Sequence, residues 1–165
     1  MASKVLVAYA SKTGTAAEVA QAIGEELGRA GIAADVRPAK DVRDVSGYAG
    51  VVLGTGVRME KPYGDAVSFV SRHLKALQGV PVAYFSVGMM LMEDTSENRA
   101  KAETFLRPLT DLLAPASIGL FGGCVNYKRL GLTGMMMKMG KVAEGDWRDW
   151  DAIRTWAAGL APAMA

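Results

Sequence analysis

The sequence holds one cysteine, Cys124, and one histidine, His73. A lone cysteine forms no internal disulfide, and the pair is too few for a zinc or iron–sulfur centre. No carboxylates are spaced for calcium, and no serine, histidine and acid read together as a triad. No metal is expected, and both residues read as structural, His73 within a helical segment and Cys124 within an apolar strand. Long hydrophobic runs are also missing. The longest uncharged stretch, Leu112 to Tyr127, is interrupted by Pro115, Gly119, Gly122 and Gly123, so it reads as helix end, turn and strand, not as a membrane span. The start, MASKVLVAYASKTG, lacks the apolar stretch and cleavage site of a secretory signal. A reducing, cytoplasmic location is expected. No strong excess of either charge sign exists: the net charge of +2 gives no reason to expect a nucleic-acid partner.

What is there is an alternation of short β-rich runs with longer segments of helical spacing, over a length that suits one domain. Strands are expected at KVLVAYA from Lys4, AADVRP from Ala33, GVVLGT from Gly50, PVAYFSV from Pro81 and SIGLFGGCV from Ser117. Nearly continuous apolar runs of this kind suit parallel strands covered on both faces. Thr15 to Ala30 places Val19, Ile23 and Leu27 on one helical side and stops at Gly31. Further helices are expected over Tyr63 to Leu77, Ser96 to Leu113, and Trp147 to Leu160, the last entered through Asp146 and ended before Pro162. Asp41 to Ala49 reads equally as a short helix or an irregular crossover. The chain, 1–165, is thus expected to form a single α/β domain without repeats or linkers.

Ligands of such sheets sit beyond the carboxyl ends of the strands. The first strand-to-helix turn, YASKTGTAAE, supplies Ser11, Lys12, Thr13, Gly14, Thr15 and Ala16. Its hydroxyls, its glycine and the free N–H groups of the following helix suit a phosphate. No GxxxxGK[ST] or GxGxxG pattern is present, so a monophosphate is the natural guest. Read from these residues alone, a hydroxyl-capped helix start is an equal alternative.

The pattern S-x-T-G at Ser11, Thr13 and Gly14 after the first strand resembles the phosphate loop of flavodoxins. That resemblance implies a doubly wound, five-stranded parallel sheet of order 2-1-3-4-5 with helices on both faces, and FMN as cofactor. It assigns the flavin ring to two further turns. One comprises Gly54, Thr55, Gly56, Val57, Arg58 and Met59; the other comprises Ser86, Val87, Gly88, Met89 and Met90. Two departures stand out. Ala16 replaces the usual closing threonine of the loop, and GTGVRMEK and SVGMMLMED offer no aromatic to sandwich the ring. Met59, Met89 and Met90 either pack on the ring through their thioethers or fill the core. Flavodoxin electron carriers are strongly acidic, whereas this chain is slightly basic and flanks the second turn with Arg58 and Lys61. A cation there favours reduced, negatively charged flavin. The alternative is a solvated loop.

The run GVRMEKPYGDAVSFVSRHLKALQGVPVAYFSV and the tail GGCVNYKRLGLTGMMMKMGKVAEGDWRDW resemble bacterial menaquinone-dependent protoporphyrinogen oxidases. Gly123, Tyr127, the Met135 to Met139 cluster with Lys138, and Asp146-Trp147 match in order. Asn126 and Met59 depart from the family's arginine and tyrosine. The resemblance implies an FMN-dependent oxidoreductase that oxidises protoporphyrinogen IX, a hydrophobic tetrapyrrole, with a quinone as acceptor in haem biosynthesis. Alternatives are an electron carrier serving a redox partner protein and a non-redox interaction domain. Within the Met-rich insertion, about 127–146, Lys128, Arg129, Lys138 and Lys141 precede the first acid, Glu144. Such a segment suits a peripheral membrane contact, a pocket for quinone or tetrapyrrole, or a loop folded on the sheet edge.

Overall fold

Val5 and Val7 bury into one apolar cluster, and Leu6, Ala8 and Ala10 into another. That alternation along β1 (Lys4–Ala10) is why the run is apolar without a break: both faces of the strand are covered. The computed structural model describes residues 4–165; the first three residues of the 1–165 expectation lie outside them. The other strands are β2 (Ala33–Pro38), β3 (Tyr48–Arg58), β4 (Lys61–Pro62), β5 (Val82–Gly88), β6 (Ser117–Gly122), β7 (Cys124–Val125) and β8 (Gly145–Asp146). Five are parallel, in the order β2-β1-β3-β5-β6, which is the 2-1-3-4-5 order implied by the resemblance.

Helices α1 (Thr15–Arg29) and α7 (Trp150–Met164) cover one face, where Val19, Ile23 and Leu27 meet Ile153, Ala157 and Leu160. On the other face α2 (Gly64–Leu77) buries Phe69, Val70 and Leu77, alongside α3 (Ser96–Thr104) and the short α4 (Arg107–Thr110). The helix expected over Ser96 to Leu113 is therefore two. Pro108 has no N–H to continue α3 and instead sits at the start of α4, with Phe105 and Leu106 at the break. The last helix begins at Trp150, where Asp149 accepts from Ala152 N–H at 3.0 Å. Asp146, expected to cap it, is engaged by Arg148. Pro162 lies inside the final turn, where the N–H it lacks costs one bond near the helix end. The ambiguous stretch begins on the end of a 3₁₀ turn, Ala39–Asp41, runs irregularly to a turn at Ser46 and Gly47, and enters β3 at Tyr48.

Two further differences bear on the site. β3 runs three residues past the expected end at Thr55, through Gly56 to Arg58, and doubles back into β4, with Arg58 opposite Lys61. The insertion is helical: α5 (Tyr127–Leu130) and α6 (Leu132–Met139) pack tightly enough that a Cβ on Gly134 would run into the Tyr127 carbonyl. β7 and β8 pair antiparallel at its base, breaking the expected fifth strand at Gly123.

Candidate functional site

Register aligns the strand ends. Ala10 of β1 lies opposite Thr55, Gly56 opposite Val87, and Gly88 opposite Gly122. The turns beyond them open onto one cleft of about 400 Å³. A larger, shallower depression of about 680 Å³, between α3, α4 and Ser117, lies at the opposite end of β6.

The first wall is the loop after β1: Ser11, Lys12, Thr13, Thr15 and Ala16 line the cleft. Gly14 makes the turn at φ +88°, a conformation open to glycine and strained for other residues. Its N–H donates to Ser11 Oγ at 3.0 Å, leaving the Ser11 hydroxyl hydrogen for a ligand. Thr13 and Thr15 hydroxyls are 3.2 Å apart. No side chain caps α1, and its first helical bond runs from Glu18 N–H to Gly14 C=O. The N–H groups of Thr15, Ala16 and Ala17 are therefore the helix's unsatisfied donors, at its positive dipole end.

The second wall is Gly56, Val57 and Arg58 with Tyr63; the third is Val87, Gly88 and Met89. The fourth comes from Gly123, Cys124 and Val125, and from Arg129, Leu130, Thr133 and Met137 of the insertion. Five expected residues are elsewhere, Gly54 among them, which lies within β3 against the Phe85 ring. Thr55 is fully buried, its hydroxyl donating to Gly56 C=O at 2.6 Å and accepting from Tyr63 N–H at 3.1 Å. Ser86 is buried within β5. Met90 packs against the core, and Met59 points to solvent, 85% exposed, at the tip of the β3–β4 hairpin. Of the three methionines, Met89 alone lines the cleft, and Met137 joins it from the insertion.

Tyr63 supplies an aromatic wall that the two quoted turns lack. It follows the hairpin, beyond the second turn, and its backbone bond to Thr55 holds it there. Lys12 Nζ lies 5.1 Å from its ring centroid. Burial pushes the Tyr63 phenol up, with the Arg58 charge opposing. Cys124, read from sequence as structural, lines the cleft half-buried, and burial raises its thiol above the ordinary value.

The insertion is tied to the start of α1 by charge. Arg129 pairs with Glu18 in the first turn of α1. Arg148, its side chain 5% exposed, donates to the other Glu18 oxygen at 3.0 Å and to Asp146. These guanidiniums, Arg129 first, hold the Glu18 carboxyl below the usual range against some desolvation. Asp146 is lowered chiefly by Arg148. Glu18 and Arg129 are 111 residues apart, and nothing in either local sequence announces the pair.

These residues fit FMN. The glycine-turned loop and uncapped α1 offer a terminal phosphate its donors, and the cleft beyond has the size and mixed apolar lining of a cofactor site. Among the described residues no group of ligands suited to a metal ion is present, and no helix is long and apolar enough to cross a membrane.

The family described as "Flavodoxin domain" matches residues 6–149. Protoporphyrinogen IX dehydrogenase [quinone] of Escherichia coli is 25% identical over 174 residues, covering 96% of this chain and 94% of its own. Flavodoxin 1 from Bacillus cereus superposes with a TM-score of 0.64 at 15% identity, over 99% of this chain and 100% of that one. A flavodoxin from the domain Archaea gives 0.59 at 16% identity, with 96% of each chain covered.

Proposed function

The chain belongs to the flavodoxin domain family and is an FMN-binding oxidoreductase, and from that premise we propose that it takes electrons from protoporphyrinogen IX and passes them to a quinone. The observation that carries this reading is the similarity to the Escherichia coli dehydrogenase, which runs nearly end to end in both chains. FMN, when bound, supplies the capacity to accept and return electrons.

The chain's own residues orient and shield. The loop from Ser11 to Ala16 and the start of α1 would hold the phosphate, and Gly56 to Arg58, Tyr63 and Val87 to Met89 would bound the ring. Leu130, Thr133 and Met137 line the cleft from the insertion, where they would screen a bound ring from water. Outside it, Leu132, Met135, Met136 and Met139 are exposed beside Lys128, Lys138 and Lys141. An apolar surface ringed by cations suits a tetrapyrrole carrying carboxylates, and it suits a quinone arriving from an anionic bilayer. The exposed Arg58 and Lys61 add positive charge at the cleft mouth.

The test is anaerobic oxidation of protoporphyrinogen IX by the FMN-loaded protein, followed by porphyrin fluorescence with and without menaquinone. Turnover that requires the quinone is expected. A fully loaded protein that leaves the tetrapyrrole untouched, yet exchanges electrons with a protein reductase, is instead an electron carrier. Sedimentation with anionic vesicles tests the membrane contact; weak, salt-sensitive binding is expected, and none would discard it.

A further inference from the structure

Arg129 stands at the end of α5, yet its guanidinium lies over the phosphate loop. A Cβ placed on Gly14 would be 3.3 Å from its Nη2 and 3.7 Å from its Cζ. It lines the main cleft with Ser11, Thr13 and Thr15, and also a small recess that Thr13 and Thr15 share with Cys124 and Asn126. Asn126 fixes its backbone: the side-chain oxygen accepts from Lys128 N–H at 3.1 Å and Arg129 N–H at 3.4 Å.

We propose that Arg129 is a phosphate ligand contributed by the insertion, which turns from Glu18 to the terminal phosphate of FMN and so selects the phosphorylated flavin. The inference rests on the FMN reading of the cleft and extends it to a named cation. The loop by itself meets a doubly charged phosphate with hydroxyls and backbone N–H groups, and at Ala16 it has no hydroxyl. Lys12, the loop's own cation, is placed over the Tyr63 ring. A guanidinium presents a fork of donors matched to phosphate oxygens, and such charge-assisted bonds are the strong ones.

The ion network makes the move inexpensive. Glu18 receives two guanidiniums, Arg129 at one oxygen and Arg148 at the other. Arg148 is nearly buried and also anchored to Asp146 and to Thr15 C=O, so it stays. When Arg129 leaves, Glu18 keeps a full partner. The pair that is broken is partly exposed, at 39% and 41% for the two side chains, and pairs of that kind contribute little.

The test is fluorescence titration of the full chain, freed of flavin, with FMN and with riboflavin. The proteins compared are wild type, Arg129→Gln, Arg129→Lys and Glu18→Gln, each checked for folding by circular dichroism. Arg129→Gln is expected to weaken FMN on the order of tenfold with riboflavin unchanged, Arg129→Lys to recover part of the loss, and Glu18→Gln to leave FMN binding equal or tighter. Equal loss for both flavins in Arg129→Gln, or a loss in Glu18→Gln as large as in Arg129→Gln, would make Arg129 a tether of the insertion and overturn the proposal. A folded wild type that binds neither flavin overturns the FMN reading itself; a wild type that prefers FMN, with that preference intact in Arg129→Gln, overturns only the role of Arg129.

Discussion

Arg148 donates to both carboxylate oxygens of Asp146, from Nε at 2.9 Å and from Nη2 at 2.7 Å. Its third nitrogen reaches Glu18 at 3.0 Å, and its guanidinium lies 4.8 Å from the Trp150 ring centroid. One nearly buried side chain thus joins the β8 strand, the start of α7 and the first turn of α1. Arg148→Met is expected to lower stability by about 2 kcal/mol in urea unfolding, because it leaves two acids without their shared partner. Arg148→Lys should not restore it, since an ammonium cannot span the carboxylate and Glu18 together. A change under about 0.5 kcal/mol, the usual range for surface substitutions, would mean that the network is decorative.

The β3–β4 hairpin turns through Met59 and Glu60 at φ 53° and 64°. Two left-handed residues in succession suit Asn-Gly and disfavour side chains such as these. Met59→Asn with Glu60→Gly is expected to stabilise the fold by about 1 kcal/mol. A thermal melt that moves down instead would show that these side chains hold the turn by contacts that outweigh the backbone cost.

Gly14→Ala forces a Cβ into a left-handed position beneath Arg129. The strain is about 1–2 kcal/mol, and the loop can relieve it only by losing the shape that accepts phosphate. FMN affinity should fall about tenfold or more. Unchanged affinity by fluorescence titration would mean that phosphate is not held here.

Tyr84 is fully buried, its hydroxyl donating to Leu113 C=O at 2.7 Å, and burial pushes its phenol from 10.0 up to about 12. Above pH 10 the unfolded chain gives up this proton while the folded chain retains it. The contribution of Tyr84 is therefore complete below pH 10 and is lost as pH climbs toward about 12, for a total of about 3 kcal/mol. Tyr84→Phe is expected to flatten that part of the stability profile. An equally steep decline in the variant would place the alkaline sensitivity in other groups.

Arg58 is exposed at the cleft mouth, where its charge acts through water. Arg58→Glu should shift the two-electron midpoint potential of the bound flavin to more negative values, on the order of 20 mV at low salt and less at high salt. A potential that does not move, or moves upward, would remove Arg58 from the electrostatics of the site.

The fold was legible because its sheet is buried on both faces: unbroken runs such as KVLVAYA and PVAYFSV have few other uses, and the helices between them carry clear apolar stripes. The turn after β1 was legible because hydroxyls, glycine and a helix start are adjacent in sequence, and the chain does turn at Gly14 into α1. Thr55 and Ser86 are buried because β3 and β5 both run on through the turns to which these residues were assigned, and Met90 because it packs on the core just past β5. Tyr63 escaped because the hairpin returns it to the cleft only after the chain has left the quoted turn. Arg129 and Met137 reach the cleft through the packing of α5 on α6, which depends on a glycine contact with no local signature.

The insertion leaves and rejoins the domain at one point, because Val125 and Gly145 are partners in the β7–β8 ladder and Tyr127 binds both Glu144 and Val142 just beyond it. A segment whose ends already meet can lengthen, shorten or change composition without displacing any strand of the parallel sheet. The stretch between two neighbouring residues is thus the part of the cleft wall that can be exchanged while the parallel sheet and the loop after β1 keep their places.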